Sequence, residues 1–166
     1  MKKTLAIVLM VLCAFSVFAS GAQEAAATKE ALKVGMVTDS GTIDDRSFNQ
    51  GTWEGVKKAA EELGLESMYL KPNGTTSTDY LTAITDLYDQ GYRFVACPGY
   101  LFAEAVADAQ NMFSDLKIVI IDDALSAGIG KNTVAVIFKE QESGFMAGVA
   151  TALKIETGKV GFVGGL

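Results

Sequence analysis

Five short runs rich in Val, Ile, Met, Leu or Phe, at 33–38, 67–71, 93–97, 117–121 and 133–138, alternate with helix-like stripes along this chain. Their spacing of about 25 to 30 residues is that of βα units, and a series of such units folds as a parallel sheet covered by helices. None of the runs alternates strictly between apolar and polar, as expected of strands buried on both faces. The stripes between them repeat at helical spacing: Trp53, Val56, Ala60 and Leu63 before Gly64, then Leu81, Ile84 and Leu87 before Gly91, then Phe102, Val106, Ala109 and Phe113. The fold class read from this pattern is α/β, a doubly wound parallel sheet, and the stripes are core.

In such a sheet with strand order 2-1-3-4-5, ligands collect at the carboxyl edge where the order reverses, between strands one and three. The loops reaching that edge are 39–50, 71–78, 98–100 and 122–130. The first carries the most information. Ser47 and Gln50 have the spacing of a capping box for a helix that runs from Phe48 to Leu63, Gly41 lets the chain turn, and Asp39, Asp44 and Asp45 supply acceptors. Phe48 lies off the Trp53/Val56 stripe and is expected to face the crevice. An aromatic ring beside Asn49 and Asp39 suits a planar base carrying a ribose: stacking on the ring, amide bonds to base edges, a carboxylate for vicinal hydroxyls. Tyr100, across the switch point, is a candidate to join them.

Several chemistries are disfavoured. The chain has no histidine, which removes the commonest general base and metal ligand. Cys13 lies in the N-terminal apolar run and Cys97 in a strand, so the mature chain is expected to hold no intramolecular disulfide. No dinucleotide or P-loop glycine pattern occurs, so no cofactor or metal is expected. A phosphoacceptor reading fails because Cys97-Pro98 ends the third strand where the accepting Asp would stand. A hydrolase recruiting Asp39, Asp44, Asp45 and Asp122 remains the alternative from another class.

Lys2-Lys3, an apolar run from Leu5 to Phe18 and the small residues around Ala19 form the three regions of a secretory signal. The expected organisation is a signal at 1–19, a tether at 20–32, an α/β ligand-binding lobe at 33–138 and the start of a second lobe at 139–166. Cleavage after Ala19 leaves 12 of the 14 Lys and Arg against 20 carboxylates. An acidic exported chain of this kind suits neither nucleic acid nor an anionic membrane surface. Its expected location is the periplasm or the outer face of the cytoplasmic membrane, with lipid attachment at Cys13 a minority reading.

The stretch from Val37 to Gln50, Gly99-Tyr-Leu-Phe102, Ile120-Ile-Asp122 and Phe138-Lys-Glu-Gln-Glu-Ser-Gly-Phe-Met-Ala-Gly148 resembles the basic membrane protein family of ABC-transporter substrate-binding proteins, closest to the purine nucleoside receptor type. The resemblance implies the type I periplasmic-binding-protein fold, two α/β lobes closing on a ligand. It implies ligand-binding carboxylates at Asp39 and Asp122, a stacking ring at Phe48 and a base-reading amide at Asn49, with Asp45 and Ser47 holding the loop. It also implies a purine nucleoside as ligand and an inner-membrane permease as partner, with no enzymatic role. On that pattern the chain reaches only the first helix and strand of the second lobe, so that Phe145, Met146, Val149 and Leu153 are expected to stand exposed.

Overall fold

A computed structural model describes residues 32–164, so the expected signal, tether and Cys13 lie outside the described residues. Strands β1 (Lys33–Val37), β2 (Glu66–Leu70), β3 (Tyr92–Pro98), β4 (Lys117–Ile121) and β5 (Thr133–Val136) form one sheet in the order β2-β1-β3-β4-β5. Every pairing is parallel. Helices α1 (Phe48–Leu63), α2 (Ser77–Asp89), α3 (Ala103–Met112) and α4 (Glu140–Lys154) connect or follow the strands, and a 3-10 turn, Tyr100–Phe102, precedes α3.

The period-2 alternation of β1 divides the core. On one face Val37 joins Tyr80, Ile84 and Leu87 of α2, Phe102 and Val106 of the α3 segment, and Cys97, Ile118 and Ile120 of the inner strands. On the other, Val34 and Met36 pack with Val56 of α1, supported by Trp53, Leu65 and Phe94. Each fully buried Leu, Ile or Phe in these clusters contributes about 1.5–3 kcal/mol of apolar transfer. Gly35 sets the approach of α2 to β1, because a Cβ there would stand 2.9 Å from Leu87 Cδ1. Cys97 is fully buried on β3, the middle strand, and burial pushes its thiol pKa far up.

Two expectations are corrected. Leu63, read as the last residue of the α1 stripe, is 69% exposed; Gly64 turns the chain through the left-handed region and Leu65 packs on the core instead. The apolar run after Gly158, read as a further parallel strand, is not a strand over 159–164. A strand needs a partner edge, and Val160, Phe162 and Val163 stand exposed, in no ladder of the sheet. Helix α4 agrees with the expectation: it has no buried residue, with Phe145, Met146 and Leu153 each more than two-thirds exposed.

Candidate functional site

The first residue beyond β1 with a chemical task is Asp39. Its Oδ1 accepts from the Gly41 N–H at 2.7 Å and from Asn49 Nδ2 at 2.6 Å. Its own N–H donates to Asn49 Oδ1 at 2.9 Å. Oδ2 points across the switch point, 3.6 Å from where a Cβ on Gly99 would stand. Loops 39–50 and 98–100 therefore meet at the place the strand order requires. Gly99 has φ of 112°, a conformation that favours glycine, so the backbone can turn here without a side chain between β3 and Asp39.

Asp45 is the organiser of the loop. Its Oδ1 accepts from Ser47 N at 2.7 Å and Gln50 N at 3.1 Å, and its Oδ2 accepts from Asn49 N at 3.2 Å and Asn49 Nδ2 at 2.7 Å. Ser47 makes no side-chain cap bond. Gln50 directs its amide oxygen to Arg46 N at 3.0 Å and its amide nitrogen to Glu54. The expected Ser47–Gln50 capping box is thus replaced by one carboxylate. The physical reason is capacity and charge: a carboxylate takes several donors where a hydroxyl takes one, and it faces the positive end of the helix. Burial works against the charge on Asp45, but the Asn49 amide and the N–H groups of Gln50, Ser47 and Asn49 outweigh it and hold its pKa below the usual range.

Asn49 is 1% exposed, and its two amide hydrogens are committed to Asp39 and Asp45. An amide so engaged does not have a donor to spare for a base edge; it is the strut between the two carboxylates. Gly41 serves close approach rather than a left-handed turn. A Cβ there would lie 2.6 Å from Asn49 Nδ2 and 3.1 Å from Asp45 Oδ2.

The aromatic candidates stand at the rim. Phe48 is 42% exposed, and its ring lies 6.5 Å from that of Phe138, which follows β5 and which sequence reasoning gave no role. Tyr100 opens the 3-10 turn beyond Gly99 and is 52% exposed. Asp122 follows β4 in the left-handed region with φ of 69°, its N–H bonded to Val136 O at 2.8 Å. Partial burial raises its pKa, and the neighbouring carboxyl groups of Glu140 and Asp123 add to that rise. The geometry thus brings Asp39 to Gly99, Phe48 to Phe138, and Asp122 to Glu140. Asp44 is exposed and accepts from Thr42 Oγ1. It borders a groove of about 390 Å³ on the other side of the β1 end, with Thr38, Ile43, Tyr69 and Lys71.

Tyr80, beneath this edge, was not singled out from the sequence, although it shares the helical spacing of Ile84 and Leu87 and is buried with them. It is fully buried with its ring 4.4 Å from Phe102, yet its hydroxyl has no hydrogen-bond partner. Burial raises its pKa first, and the charges of Asp39 and Asp79 and the Tyr100 phenol add to the rise. Among the described residues no cluster of three or more His, Cys, Asp or Glu could hold a metal, and no helix is long and apolar enough to cross a membrane.

Known proteins share the sequence and the fold of this chain. A basic membrane protein A of Borreliella burgdorferi is 36% identical over 161 residues, covering 96% of this chain and 46% of that protein. The ABC transporter nucleoside-binding protein BmpA of Lactococcus lactis is 33% identical over 140 residues, covering 83% of this chain and 39% of that protein. The chain therefore spans less than half the length of these relatives. A solute-binding protein of an ABC transporter system from Aeropyrum pernix superposes with a TM-score of 0.65 at 25% identity, over 73% of this chain and 32% of that one. A lipoprotein fragment from Peptoclostridium difficile shares the fold at 17% identity, with a TM-score of 0.56 over 73% of this chain and 97% of the fragment. With residues 32–166 matching the Bmp family, described as ABC transporter substrate-binding protein PnrA-like, the chain belongs to that family.

Proposed function

We propose that this chain supplies one wall of an extracytoplasmic binding site for a purine nucleoside, which a membrane permease of the ABC class then imports. The observation that carries the reading is the Asp39 carboxylate. Loop donors hold Oδ1, while Oδ2 is turned toward Gly99 at the switch point. An acceptor fixed in this way suits a hydroxyl pair or an N–H edge of a ligand. Phe48, half-exposed at the start of α1, offers a face for a base, and Asp122 and Tyr100 contribute from the neighbouring loops. The nucleoside-binding relative from Lactococcus supports the choice of ligand. Asn49 enters this reading as a positioning residue that holds Asp39, together with Gly41, Asp45 and Gln50.

Titration calorimetry of the chain with inosine, adenosine, guanosine and free ribose tests it. Nucleosides should bind in preference to ribose, and Phe48→Ala should weaken them by about 1–3 kcal/mol through lost stacking. Equal affinity for ribose would favour a sugar as ligand. Release of free base during the titration would favour the hydrolase reading that uses Asp39, Asp45 and Asp122. Either result would overturn the proposal.

A further inference from the structure

Phe138 has a place at this edge and no task yet. It lies two residues beyond the end of β5, and β5 stands three places from β1 in the sheet, an interval of about 14 Å. Its ring nevertheless meets that of Phe48, which the loop beyond β1 delivers: the centroids are 6.5 Å apart and the planes are inclined at 39°. That separation lies inside the range of about 4.5–7 Å in which aromatic pairs attract. The contact therefore bridges the interval along the carboxyl edge where Gly99 and Asp122 follow β3 and β4. Asp122 is tied to the same segment, because its N–H donates to Val136 O. Core packing does not account for the pair, since neither ring belongs to a buried cluster and both remain about half open to solvent.

We propose that Phe138 is a positioning residue of the ligand site, whose ring holds that of Phe48 in the orientation from which Phe48 stacks on the base. The inference rests on the nucleoside-binding reading above and deepens it by adding the segment after β5 to the elements that serve the site. The inclination of the rings divides the work between them. A planar base cannot lie flat on two faces inclined at 39°, so one ring stacks and the other supports. Phe48 takes the first role because it opens α1 beside Asn49, which is bonded to Asp39. A half-exposed phenylalanine with no neighbour samples several rotamers, and ordering it on binding weakens affinity. The Phe138 contact imposes that order before the ligand arrives.

Calorimetric titration of the full chain with inosine and with free ribose, alongside thermal melting, separates this role from a structural one. Phe138→Ala should weaken inosine about two- to tenfold, the equivalent of one side chain ordered on binding. It should leave ribose binding and the melting temperature near those of the unsubstituted chain, since the ring lies outside the core. Phe138→Tyr, which keeps the ring, should bind inosine as the unsubstituted chain does. In a Phe48→Ala background Phe138→Ala should have no further effect, because the ring that it positions is gone. Inosine bound by Phe138→Ala as tightly as by the unsubstituted chain would overturn the inference and leave the proposed function standing. An undiminished loss in the Phe48→Ala background would make Phe138 a direct ligand contact and overturn the positioning role. An equal loss for inosine and ribose, or one that follows a fall in melting temperature, would assign Phe138 to packing alone and also overturn it. If the unsubstituted chain binds no inosine, the proposed function falls and this inference with it.

Discussion

Helices α1 and α2 both leave the carboxyl edge of the sheet and both need acceptors for their first amides, yet they obtain them differently. At α2, Thr76 and Asp79 exchange bonds locally: Thr76 Oγ1 accepts from Asp79 N, and Asp79 Oδ2 accepts from Thr76 N and Thr76 Oγ1. At α1 the N-cap side chain is idle, and Asp45, two residues earlier, collects three backbone amides and the Asn49 side chain. The first arrangement caps a helix and does nothing else. The second caps a helix and, through Asn49, fixes Asp39 ten residues back along the chain. A helix start becomes a site scaffold when its acceptor also has a long-range partner.

The comparison predicts a ranking of substitutions, each measured by urea unfolding. Asn49→Ala should be the most damaging, at about 3 kcal/mol, because it strips buried bonds from two carboxylates at once. Asp45→Asn should cost about 2 kcal/mol, the upper end for loss of a cap. It should also change the pH dependence. The lowered pKa of Asp45 gives stability that is fully present above the ordinary value near 3.8 and is lost as pH falls through the folded value. The substituted chain should lack that part of the acid limb. Thr76→Ala should cost about 1 kcal/mol and leave ligand binding untouched. Ser47→Ala should fall within about 0.5 kcal/mol of neutral. If Ser47→Ala instead matched Thr76→Ala, the two helix starts would be alike and the distinction drawn here would fail.

The parallel sheet and its covering helices were legible from the sequence because apolar runs and stripes repeat at fixed spacing, whereas the strand order β2-β1-β3-β4-β5 was assumed with the fold class and is given by the structure. The site was legible only as a set of residue types. Ser47 followed by Gln50 satisfies the pattern of a capping box, and nothing local reveals that a carboxylate two residues before the N-cap will outcompete a hydroxyl. Asn49 looks like a ligand-facing amide until Asp39 and Asp45 are seen to flank it. Tyr80 is hidden in the opposite way. Its ring obeys the core stripe, so only the three-dimensional environment shows that its hydroxyl has been left without a partner. The run after Gly158 has the composition of a strand, but composition cannot supply an edge to pair with.

Cys97 lies on the strand that β1 and β4 flank, with its thiol sealed from solvent. A thiol reagent can reach it only after β3 has parted from its neighbours, so the labelling rate at this position is a clock for the opening of the sheet. Peptide mapping separates this signal from that of Cys13. Binding at the edge of β1 and β3 should slow the clock in proportion to ligand occupancy, giving a ligand assay that needs no optical change in the ligand and no engineered label.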